Sequence, residues 1–124
     1  MDKKSRIKIW TDGAKRNKRL ADDLYKIKHY DWCLFIWHLV LEKQIKAKII
    51  QMGGDVPLIH NLVALCRIVK IRLSDGEKKE LSEVNSYNVE ARYEEIKQAL
   101  YKKATKKYTE NWVRICEKYY KKFV

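Results

Sequence analysis

The sequence is poor in the residues that punctuate β-structure. One proline and four glycines in 124 residues are too few for the turns of an all-β sandwich or barrel, and they also exclude low-complexity sequence. Cysteine is sparse as well. Cys33, Cys66 and Cys116 are odd in number and never closer than 33 positions, which supports neither a disulfide framework nor a zinc ribbon. Long apolar runs are missing too: the longest, Trp32 to Leu41 with His38 inside it, is about half of the roughly 20 residues a membrane span needs. Met1 to Arg6 leads into no apolar signal region and no small-residue cleavage site, so the expectation is a cytoplasmic protein that meets no membrane. Acid is the last shortage. Asp and Glu number 16 against 28 Lys and Arg, a formal charge of +12.

What is present suffices for a core. Apolar residues make up 46% of the chain, which argues against disorder despite the charge, and the length allows one domain, 1–124. The charge is unevenly placed: residues 1–19 carry a net +6 and residues 97–124 a net +7, whereas the 77 residues between them carry −1. If the first and last helices are neighbours in an antiparallel bundle, the two basic ends merge into one side. The alternative is ordinary solvated lysine on helix faces.

Apolar spacing predicts a helix over 7–28, through Ile7, Trp10, Ala14, Leu24 and Ile27, with a start only after Gly13 left open by Asp12-Gly13 and Asn17. Asp31 is placed to N-cap a second helix over 32–51. Its first ten residues are apolar almost all round and Glu42 precedes Lys46 by four, the favourable order for an ion pair. A helix apolar on every face belongs at the centre of a bundle or in a subunit interface. Gly53, Gly54 and Pro57 stop it, and amphipathic helices follow over 60–71 and 77–86. A final helix over 97–123 carries Leu100, Ala104, Tyr108, Trp112, Ile115, Tyr119 and Phe123 as a stripe, broken, if anywhere, near Thr105 or Thr109. The expected fold is all-α, an up-and-down antiparallel bundle of four to five helices.

Few constellations carry chemistry. His38 and Glu42 share one face of the second helix, as a pair of metal ligands, an imidazole with its orienting carboxylate, or a buried histidine satisfied by its neighbour. No third ligand stands at a recognisable spacing, so no metal and no cofactor is expected. His60-Asn61 follows the Gly-Gly/Pro turn, where either residue can cap the next helix. Arg92-Tyr93 sits among Glu90, Glu94 and Glu95; the guanidinium either clamps a phosphate or pins a loop. Lys102, Lys103, Lys106 and Lys107 interleave with Tyr101 and Tyr108, a basic stripe suited to phosphate contact and base stacking unless the tyrosines belong to the core. There is no glycine-rich phosphate loop, no nucleophile paired with a base and no catalytic carboxylate pair. No catalytic residue is nominated.

Taken in order, these pieces resemble the HEPN domain family over nearly the whole chain. Trp10 and Ala21-Asp22-Asp23-Leu24 match its opening helix. His38 to Ala47 is similar to its second-helix pattern. Pro57 followed by His60-Asn61-Leu62 resembles its Pro-then-His-Asp-Leu segment, with Asn61 in place of Asp. Ala91-Arg92-Tyr93 matches its Ala-Arg-Tyr segment, with Glu94-Glu95 where Asp commonly follows.

The resemblance implies a helical bundle, commonly a homodimer, and a frequent partner in a minimal nucleotidyltransferase, in arrangements that behave as toxin and antitoxin. It also implies nucleotide binding around Arg92 and Tyr93, with Arg92 on phosphate, Tyr93 stacking, Glu42 orienting Arg92, and His38 and Lys46 across the cleft. Lys102 and Lys103 would extend that surface. Family members that cut RNA carry an Arg followed four to six residues later by His. None of the arginines in this chain has such a histidine. The expectation is therefore a non-catalytic module that binds a nucleotide or nucleic-acid phosphate such as RNA. The alternatives are an atypical ribonuclease toxin and a purely structural dimeric protein.

Overall fold

The computed structural model describes residues 1–90 and 92–124, and among these every element is helical: α1 (Lys3–Lys26), α2 (Tyr30–Gln51), α3 (Leu62–Ile68), α4 (Asp75–Asn85), α5 (Glu94–Lys103) and α6 (Lys106–Lys122). The six helices exceed the expected four to five because the last predicted helix is two. Ala104 leaves helical geometry and Thr105 turns extended (ψ 165°), its hydroxyl accepting from the Tyr108 N–H at 3.2 Å. A threonine at this position satisfies an otherwise orphaned helix N–H and so starts a new helix. Thr109, the other candidate break, is buried inside α6.

Other boundaries moved for equally local reasons. α1 runs through Gly13, which is buried against α2, where a Cβ would meet the Lys43 side chain at 3.4 Å. α2 begins at Tyr30, with Asp31 in its first turn rather than at its cap. α3 is shorter than 60–71: Asn61 caps it, accepting from the Ala64 N–H at 3.0 Å, and Lys70 ends it in the left-handed region at φ 60°.

α1 and α2 form an antiparallel hairpin, the most closely packed pair, and α2 is the centre of the fold. Leu34, Trp37, Val40, Leu41 and Ile45 are fully buried, as expected of a helix apolar on every face. α6 also lies on α2, its Tyr120 ring standing edge-on to Trp37 at 6.1 Å. Residues of the start of α6 border the end of α1, and its last residues border Ile7 and Thr11 near the start of α1. α6 is thus antiparallel to α1, and the two flank a groove floored by α2.

α4 runs opposite to α6 and is tied to the C-terminal region by ion pairs. Glu77 meets Lys122 at 2.8 Å, Glu80 meets Lys118 at 2.7 Å and Glu83 meets Lys103 at 2.6 Å. Tyr119 donates to Glu80 and Tyr108 to Glu83. Beside Lys122 and the Ser74 backbone N–H, the Glu77 carboxyl falls to about 2. The long legs α1, α2, α4 and α6 alternate in direction, with α3 and α5 as short links.

Candidate functional site

α2 carries three polar side chains inward, one turn apart. His38, Glu42 and Lys46 are only 1%, 6% and 3% exposed. Lys46 Nζ donates to Glu42 Oε2 at 2.8 Å, and His60, from the loop after α2, lies with Nδ1 2.9 Å from the same oxygen. An ionised carboxylate only accepts, so His60 Nδ1 carries the hydrogen and Nε2 is left outside the cluster. His38 Nε2 lies 2.9 Å from the His60 carbonyl oxygen and donates to it. His60 is therefore held through both side chain and main chain. Burial holds the His38 imidazole below its usual 6.5, against the opposing pull of Glu42. Its Nδ1 lies 3.7 Å from Glu42 Oε1, and neither atom has a hydrogen-bond partner. The Lys46 charge is matched by Glu42, so this cluster offers a phosphate no free cation.

The other expected site residues lie elsewhere. Arg92 and Tyr93 are exposed at the start of α5, and Ala91 beside them is outside the described residues. Glu42 does not orient Arg92: its hydrogen bonds go to Lys46 and His60, neighbours brought close by the helix repeat and by the returning loop. Lys103 is engaged by Glu83 and stands over the Tyr108 ring at 5.6 Å. Lys102 is exposed and forms no ion pair among the described residues. The interleaved tyrosines separate: Tyr108 turns inward to Glu83 and Tyr87, whereas Tyr101 stays outside.

One set of free cations stands at one end of the bundle, and another, Arg67, Arg72 and Lys78, borders a separate cleft between α3 and α4. Lys26 at the end of α1 and Arg114 of α6 border one cleft. Lys106 and Lys107 border the adjoining surface with Glu110, Asn111 and Arg114. Lys28 and His29 of the α1–α2 turn face Tyr101 and Thr105 across a cleft of about 440 Å³. None of these lysines and arginines appears in an ion pair among the described residues. Asp22, Asp31, Glu110 and Glu117 are the acids among them, Asp22 being paired with Lys18. By contrast, Lys118 and Lys122, toward the other end of α6, are matched by α4.

The family model described as the HEPN domain matches residues 7–124. The chain belongs to the HEPN family. No curated protein and no solved structure matches it. This HEPN domain has no helix, among the described residues, long and apolar enough to cross a membrane. It also has no described group of His, Cys, Asp and Glu that could hold a metal ion. Its three cysteines are buried and free, and burial pushes the Cys33 thiol up to about 12 and Cys66 to about 11. Thiols so raised are poor nucleophiles.

Two features of this HEPN domain escape sequence reasoning. His60 reads as a possible cap, but Asn61 caps α3 and His60 completes the Glu42 cluster. Lys26 and Lys28 fall in the segment whose charges cancel, yet Lys26 borders one cleft with Arg114 and Lys28 another with Thr105, the residue before Lys106. The only sequence signal for that placement is the antiparallel relation of the first and last helices.

Proposed function

We propose that this HEPN domain binds nucleotide or nucleic-acid phosphate at its basic end and acts as a homodimer with a nucleotidyltransferase partner, in a toxin–antitoxin type of system. The observation that carries the reading is the set of unpaired cations from α1, the α1–α2 turn and α6 at one end of the bundle. On α4, Glu77, Glu80 and Glu83 each pair with a lysine of the C-terminal region; at this end Asp22, Asp31, Glu110 and Glu117 stand near the cations without pairing with them. Exposed cations of one sign attract polyanions and release counterions from them. The family membership supports the nucleotidyltransferase pairing. An apolar strip of exposed Leu20, Ile27 and Trp32, beside half-buried Leu24 and Ile36, supports a second copy against the α1–α2 hairpin.

The test is the salt dependence of binding. If Lys28, Lys102, Lys106, Lys107 and Arg114 each neutralise one phosphate, log K for a DNA duplex should fall against log salt with a slope of about −4.5. No binding at low salt refutes the phosphate reading. Sedimentation of the full chain as a monomer refutes the dimer, and failure of a co-expressed small nucleotidyltransferase from the adjacent reading frame to co-purify refutes the pairing.

One observation favours a second reading, the atypical ribonuclease. His60 is an exposed imidazole oriented by a buried carboxylate, an arrangement able to move a proton. RNA cleavage by purified protein, lost in His60→Ala and kept in a control such as Lys3→Ala, would establish it.

A further inference from the structure

At the other end of the α1–α6 groove from Lys26 and Arg114, the start of α1, the end of α2 and the end of α6 enclose a cleft of about 360 Å³, a volume within the range of small-ligand sites. Ile7, Ala14, Ala47, Tyr120 and Phe123 give it apolar walls. One polar group is built into them. Gln44 of α2 lines the cleft and is only 8% exposed, and its Nε2 donates to the Tyr120 carbonyl at 3.0 Å. A carbonyl oxygen only accepts, so this bond fixes which way the amide points. Nε2 is spent on α6, and Oε1 is the end left for the cleft. That oxygen is buried and has no hydrogen-bond partner among the described residues, a rare and costly state for an acceptor.

The charged side chains at the mouth have one sign. Lys15 and Lys48 line the cleft, and no Asp or Glu does. Neither lysine has an ion pair among the described residues; Lys48 keeps only a 3.5 Å contact to a Val124 main-chain oxygen. Asp12, beside Thr11 on the α1 wall, is taken by Lys8 at 2.6 Å. From these three features we infer that the cleft binds a small amphipathic carboxylate. Its apolar body lies among the aliphatic and aromatic walls, an N–H or O–H on that body donates to Gln44 Oε1, and its carboxylate rests at Lys15 and Lys48. The sugar and phosphates of a nucleotide would be stripped of water against the apolar walls with one acceptor to meet them, so the cleft does not suit one. It is separate from the phosphate surface at the basic end, and either can fail without the other.

The full chain is titrated by isothermal calorimetry with indole-3-acetate, with benzofuran-3-acetate, in which oxygen replaces the N–H at equal shape, and with 3-methylindole, which lacks the carboxylate. Indole-3-acetate should bind about tenfold or more tightly than benzofuran-3-acetate, as expected when a buried acceptor loses its donor. Gln44→Met should bring those two probes level. Lys15→Gln with Lys48→Gln should weaken indole-3-acetate several-fold, most at low salt, and leave 3-methylindole unchanged. Ala47→Met fills the cleft and should abolish binding of all three. Equal binding of indole-3-acetate and benzofuran-3-acetate to the wild type overturns the inference, because solvent then satisfies Oε1; that comparison stands even if Gln44→Met or Ala47→Met fails to fold. Absence of indole-3-acetate binding at about 1 mM, the weak end of ligand affinities, overturns it as well. So does binding lost in Lys106→Glu, Lys107→Glu rather than in the Lys15, Lys48 variant, which would put the carboxylate at the basic end. A folded Ala47→Met variant that dissociates a dimer also overturns it, since the cleft is then closed by a second copy.

Discussion

Replacing Glu42 by Gln should be among the most damaging single changes in this protein. The carboxylate is buried, and its Oε2 takes a hydrogen bond from Lys46 at 2.8 Å and one from His60 at 2.9 Å. The amide keeps the shape but loses the charge, and it leaves the Lys46 ammonium, itself only 4% exposed at its side chain, without an anion. Breaking a buried pair from one side costs about 3–5 kcal/mol. For a chain of this length that corresponds to a fall in Tm on the order of 10–20 °C. Removing both charges is a different perturbation. Glu42→Leu with Lys46→Met puts apolar volume in place of the pair and should recover most of the loss, since buried pairs are often worth no more than well-packed hydrophobic residues. The residual loss is the contact to His60. Urea unfolding of the wild type, both single variants and the double variant closes the cycle. A Glu42→Gln variant within about 0.5 kcal/mol of wild type, or a double variant no better than the worse single one, would refute the argument that a buried charge pair organises this part of α2.

Three smaller perturbations follow from named contacts. His38 is held below its unfolded value of 6.5 by burial, so the unfolded chain binds its proton more readily. That stability is fully present above pH 6.5 and is lost as pH falls through the lower folded value; His38→Gln should flatten the acid limb of a pH–stability curve, and an unchanged limb contradicts the assignment. Lys28 occupies the left-handed region at φ 66°, where a Cβ is disfavoured, and Lys28→Gly should raise unfolding free energy by about 0.5–1 kcal/mol. A loss instead would show that the side chain itself holds the turn. Thr105→Ala removes the cap of α6 and should cost about 1 kcal/mol, read by thermal melts; Thr105→Asp should keep most of it.

Much of this architecture can be read from side-chain spacing, and the exceptions have a common cause. The all-round apolar run from Trp32 to Leu41 places α2 at the centre, because no other position buries every face. The Glu42–Lys46 pair is legible from its order four residues apart, and Thr105 is legible as one of two breakpoints. What spacing cannot decide is which lysines remain free. Glu77, Glu80 and Glu83 meet lysines at separations as large as 45 residues in the chain, so charge that reads as one basic tail is divided into a matched part and an unmatched part only by folding. His60 is similar: its bond to Glu42 spans 18 residues and depends on how the loop returns. Arg92 and Tyr93 carry the family resemblance, but spacing along the chain says nothing about whether they approach Glu42, and they do not bond to it.

The central claim is that phosphate is attracted to one end of the bundle, and charge reversal by position tests it most directly. Lys106→Glu with Lys107→Glu alters the basic end, whereas Lys3→Glu with Lys4→Glu makes the same change in net charge at the start of α1, beyond the far end of the groove. Binding of a labelled nucleic acid at low salt should be lost in the first variant and be nearly unchanged in the second. Equal losses in both would show that only total charge matters, and the basic end would then be an ordinary solvated surface.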